Sequence, residues 1–122
     1  MSSRRISPEE FEAYVAEALE SVPAPFRKYL DNVVVGVEEE PFQEDYEETD
    51  TPDDCELFGI FRGVPFFERG AMVSSLPAQI SIFRGPILRS FATRGEAVSA
   101  IRDTVVHEVG HMLGLDDEEM PY

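Results

Sequence analysis

Residues 107–118 read HEVGHMLGLDDE, and both histidines of the chain, His107 and His111, fall in this stretch. On a helix, side chains four residues apart share one face, one turn from each other. Two imidazoles so placed reach a single metal ion at nitrogen–metal distances of about 2 Å. Glu108 lies about 100° further round the helix than His107. From there it misses direct coordination yet reaches a metal-bound water, the position of a general base. The bland alternative is an amphipathic helix whose acids and glycine act only as caps. Chance is a poor rival, because average residue usage produces HExxH in a chain of this length with a probability below about 1%.

Two imidazoles do not complete a catalytic zinc centre, which takes a third protein ligand and keeps an open position. Gly114 permits a sharp turn, and Asp116, Asp117 and Glu118 follow just after it, beyond Leu115. Asp117, three residues past the glycine, is the favoured third ligand, with Asp116 as the second choice. The expected site is therefore Zn2+ held by His107, His111 and Asp117, with Glu108 as the catalytic base.

Working outward, Thr93-Arg94-Gly95-Glu96 has the pattern of a capping box and starts the helix that carries the motif. Ala97, Ile101, Val105 and Met112 supply its buried stripe, and Gly114 stands where a left-handed residue ends a helix. A second capping box, Ser7-Pro8-Glu9-Glu10, opens a helix over 8–21 with Phe11, Tyr14, Val15, Ala18 and Leu19 on one face. Pro23 and Pro25 end it, and a short further helix is indicated around Phe26–Leu30. Residues 32–37, 57–62 and 78–84 read as strands, the second closed by Gly63 and Pro65. The third alternates, with Ile80 and Ile82 on one face and Gln79, Ser81 and Phe83 on the other. Because Pro77 and Pro86 bracket it, it is expected at the sheet edge, where an extended peptide docks by main-chain hydrogen bonds. The sum is a single α+β domain over 1–122, a small sheet with helices packed on it.

Composition narrows the function classes. Apolar residues at 43% and charged residues at 29% make an ordinary globular balance. A formal net charge of −15 opposes binding to nucleic acid phosphates. Eleven of the 25 acids lie between Glu38 and Glu56, in EEEPFQEDYEETDTPDDCE, which is expected to be a solvated, partly mobile loop. No apolar run spans a membrane, and no apolar stretch follows Arg4 and Arg5 as a secretory signal requires. With Cys55 as the single cysteine, a reducing, cytoplasmic location is the expectation.

His107-Glu108-x-x-His111-x-x-Gly114-x-x-Asp117 resembles the extended motif of metzincin-like zinc peptidases, in the variant where aspartate replaces the third histidine. Together with LFGIFRGVPFFERG (57–70), PAQISIFRGPI (77–87) and TVVHEVGHMLGLDDEE (104–119), it makes the chain resemble the small bacterial zincin-like metallopeptidases over nearly its whole length. The resemblance implies a minimal zincin-like fold, a small mixed sheet packed against helices including the HExxH helix, with bound zinc and peptidase activity on a peptide or protein substrate. A metzincin's separate Met-turn is not evident, and Met120 is read as packing. Tyr122, Arg84 and Arg69 are candidate oxyanion donors, although the arginines are expected to pair with surface acids. Phe83 and Phe91 are candidates for lining a side-chain pocket, with core packing the favoured role for each. Hydrolysis of a non-peptide amide or ester would use the same residues. The alternative from another class is a non-enzymatic, metal-stabilised interaction module that binds a basic protein partner through the acidic stretch.

Overall fold

The computed structural model describes residues 6–52, 54–62 and 78–113. Helix α1 (Pro8–Glu20) starts as its capping box dictates. Ser7 Oγ accepts the Glu10 N–H at 3.1 Å, and Glu10 Oε1 accepts the Ser7 N–H at 3.0 Å. A short helix α2 (Ala24–Arg27) and a 3-10 turn (Lys28–Asn32) lead into strand β1 (Val33–Glu38). Helix α3 (Gln43–Glu48), strands β2 (Gly59–Arg62) and β3 (Ala78–Phe83), helix α4 (Arg84–Ser90) and the long helix α5 (Arg94–Met112) follow. The architecture is α+β, as expected, and no described helix is long and apolar enough to cross a membrane.

The sheet is mixed, in the order β1-β3-β2, with β1 parallel and β2 antiparallel to β3. This overturns the expected edge position of the third strand. β3 is the central strand, paired with β1 along Ala78–Phe83 and with β2 along Gln79–Ile82. The physical reason is that no proline falls within 78–83, so every main-chain donor is available for pairing. Pro86 sits instead in the first turn of α4, where a missing N–H has no intrahelical acceptor to lose. β3 is also buried on both faces, with Ile80, Ser81, Ile82 and Phe83 fully covered. An incoming peptide therefore cannot pair with it.

The register gives the sheet two unlike faces. Val33, Val35 and Val37 align with Ala78, Ile80 and Ile82, and Phe61 and Gly59 stand opposite Ile80 and Ile82. This apolar face meets α1 and α5 in one core built on Phe11, Tyr14, Val15, Ala18, Ile101, Val105 and Val109. Burying each large apolar side chain contributes about 1.5–3 kcal/mol. α5 has its own capping box, Thr93 Oγ1 accepting the Glu96 N–H at 3.2 Å.

The other face carries Glu38, Ser81 and Arg62, and it corrects the reading of the acidic stretch as loop. Asp45, in α3, is buried and accepts from Arg62 through Oδ1 at 3.0 Å and Oδ2 at 3.1 Å. The same guanidinium donates to Glu38 at 3.2 Å and to Ser81 Oγ at 3.2 Å. Beyond this clamp, Arg84 binds Glu39 at 2.8 Å, and Arg89 spans Glu40 and Glu56 at 2.8–3.0 Å. Sequence periodicity missed α3 because its six residues are mostly acidic and its one buried anchor is a carboxylate.

Burial alone would raise the Asp45 pKa. Hydrogen bonds from Arg62 and from the Phe42 N–H, with the guanidinium charge, outweigh it and hold the carboxyl below the ordinary aspartate value. A depressed native pKa means that the stabilisation is complete at neutral pH. It is lost as pH falls below about 4 toward the native value, because the unfolded chain takes up the proton first. Asp45→Asn should therefore cost about 2 kcal/mol at pH 7. In urea unfolding the gap between variant and wild type should narrow at pH 3.

Candidate active site

The long helix brings the motif to the edge of the sheet. Ile101, Val105, Val106 and Val109 are buried along α5, while His107 and Glu108 are partly exposed and the His111 side chain is 42% exposed. The face that turns away from the core thus carries the two imidazoles. Their ring centroids are 4.4 Å apart with planes at 71°, as i and i+4 spacing requires. The Glu108 carboxylate lies beside them, with Oε1 3.7 Å from His111 Nδ1. The same Oε1 accepts the backbone N–H of Phe61, in β2, at 3.2 Å.

Between α5 and the chain entering β2 lies a shallow cleft of about 310 Å³, floored by Leu57, Phe58 and Gly59 and walled by Asp103, Thr104, His107 and Glu108. Its narrowness depends on Gly59. A Cβ there would stand 2.6 Å from Thr104 Cγ2 and 3.0 Å from the Ser81 carbonyl oxygen. Glycine lets the strand backbone and the helix approach closely enough for Phe61 to reach Glu108.

The pair of imidazoles suits zinc by the chemistry of its donors, nitrogen ligands on one helix face that leave other coordination positions open. Among the described residues, no group of three or more His, Cys, Asp or Glu side chains converges on one point. Gly114, Asp116, Asp117 and Glu118 lie outside the described residues, as do Arg69, Met120 and Tyr122. Of the other candidates, Arg84 donates to Glu39 and to the Ile6 carbonyl, matching its expected pairing with acids. Phe83 is fully buried and packs in the interior. Phe91 stacks obliquely on Phe58, ring centroids 5.3 Å apart, and lines a second groove along α5.

The family model described as zincin-like metallopeptidase matches residues 30–122. The chain belongs to that family. Membership covers the whole sheet and the HExxH helix, while α1 precedes the matched stretch. A search of curated proteins finds no match. The zincin-like assignment gives the class, a metallopeptidase, and the geometry above adds the parts no motif contains. Gly59 and the Phe61 N–H are such parts. An isolated glycine within a β-branched and aromatic strand is a sequence signal for close approach, whereas a backbone donor leaves no signal at all.

Gly59→Ala should cost about 1–3 kcal/mol through overpacking against α5. Thr104→Ser removes the nearest clashing methyl and keeps the hydroxyl that donates to the Ala100 carbonyl at 2.8 Å. The double variant should recover part of the loss in thermal unfolding.

Proposed function

We propose that this zincin-like chain is a zinc-dependent peptidase in which His107, His111 and Asp117 hold the metal and Glu108 is the general base, with Asp116 as the alternative third ligand. The observation that carries the reading is the juxtaposition on α5. Two imidazoles 4.4 Å apart stand beside the Glu108 carboxylate, and His107 and Glu108 line the cleft. A purely structural metal would need no base at that position. Zinc held there would supply an acidified water and polarise the scissile carbonyl. Glu108 takes the water's proton and later delivers it to the departing amine.

The substrate is an extended peptide along the edge of β2 that faces away from β3, an edge with no strand partner among the described residues. Phe58 is hydrogen-bonded to Phe83 across the sheet, so Gly59 and Phe61, in the alternate positions, point their main-chain groups away from β3. That edge borders the cleft, as peptide capture by strand addition needs. The competing interaction-module reading draws on acids that the chain partly uses itself, since Glu38, Glu39, Glu40, Asp45 and Glu56 all bind its own arginines.

Glu108→Ala should keep zinc by metal analysis and lower turnover of a diverse peptide library by about 10²- to 10⁴-fold; full activity in that variant removes the glutamate from the mechanism. His111→Ala should lose the metal. Asp117→Ala should weaken zinc far more than Asp116→Ala, and the reverse order would transfer the ligand role to Asp116.

A further inference from the structure

We infer that the backbone N–H of Phe61 is a positioning donor for Glu108, fixing one carboxylate oxygen so that the other serves as the base; this rests on the proposed peptidase reading. The strand register gives the N–H its direction. With Phe58 and Phe83 forming a hydrogen-bonded pair, Phe61 and Ile80 form a non-hydrogen-bonded one, and the Phe61 amide faces outward. An outward edge amide ordinarily binds water or another strand. Here it ends on Glu108 Oε1 at 3.2 Å, a contact that ties residues 47 apart in sequence.

Both ends of the contact are held. β2 is fixed on one side by its pairing with β3 and at its last residue by Arg62, whose guanidinium binds Glu38, Asp45 and Ser81. Gly59 seats the same strand against Thr104 of α5. Glu108 projects from a helix whose neighbouring turns are buried. A long, rotatable glutamate would otherwise sample several rotamers, and a general base works only within hydrogen-bond reach of its proton. Anchoring Oε1 removes that freedom and leaves Oε2 for the proton. It also removes the Phe61 N–H from substrate pairing, so a peptide on this edge takes its donor from Gly59.

The first test needs neither metal nor activity. Hydrogen exchange is followed by NMR on the full chain for wild type, Glu108→Ala and Glu108→Gln. The Phe61 amide should be protected in wild type and exchange at least about tenfold faster in Glu108→Ala, the size of one lost hydrogen bond. Glu108→Gln, which keeps a carbonyl acceptor, should stay close to wild type, and the Ile80 and Ile82 amides should be unchanged in all three. An unchanged Phe61 rate in Glu108→Ala, or a rise shared equally by β3, overturns the inference.

The second test replaces the Phe61 amide by an ester, using the α-hydroxy acid analogue, in the zinc-loaded chain. Loss of positioning should lower kcat about tenfold with KM unchanged. Unchanged kcat, or a loss confined to KM, overturns it, the latter assigning the donor to substrate. If wild type cleaves no peptide, the peptidase reading fails while the exchange experiment still decides the Phe61–Glu108 contact.

Discussion

The guanidinium of Arg62 is the point on which the rest of the site leans. β2 is four residues long and pairs with one described neighbour, too little backbone hydrogen bonding to fix a strand by itself. Arg62 ties its end to β1 through Glu38, to β3 through Ser81 and to α3 through Asp45. Such a half-buried group is stabilising only if nearly all its donors are matched, because desolvation otherwise exceeds the Coulombic gain. Two carboxylates and a hydroxyl meet that condition, and the carboxylates of Asp45 and Glu38 hold the guanidinium more firmly charged than a free arginine. The local order they impose runs through Phe61 to Glu108.

The two faces of the sheet divide the labour. The valine and isoleucine face binds α1 and α5 by hydrophobic contact, which is strong but weakly directional. It decides that the helix packs there, and leaves its exact height along the strands loosely set. The polar face fixes direction through hydrogen bonds of defined geometry. Gly59 adds a steric limit, since the strand and helix close until Thr104 meets the backbone. Position at the cleft is thus set by contact distance and charge together.

The parts legible in the sequence were those governed by short-range periodicity and capping. Both capping boxes form, both long helices fall within a residue or two of their expected ends, and the alternation of Ile80 and Ile82 against Ser81 and Phe83 holds. The imidazole pair was legible for the same reason, as i and i+4 spacing is a property of one helix. What stayed hidden was non-local. The central place of β3 depends on which strands flank it, and flanking prolines carry no information about that. α3 depends on a buried ion pair to a residue 17 positions away, and α4 on a proline tolerated only by its place in the first turn. Among so many acids, nothing local marks Asp45 as the one that goes inside.

The strand order also governs the sequence of events in folding. Among the described residues β1 and β2 are not sheet neighbours; each pairs with β3, which comes after both along the chain. A ribosome-bound chain emerging from its N-terminus therefore cannot pair either strand with β3 until residues 78–83 are out, and closing β1 onto β3 spans some 45 residues. Closure over such a distance is entropically slow compared with forming either helix. The helix bearing the two imidazoles is made later still and docks onto a sheet that has only just become possible. The two imidazoles thus meet the sheet only late along the chain.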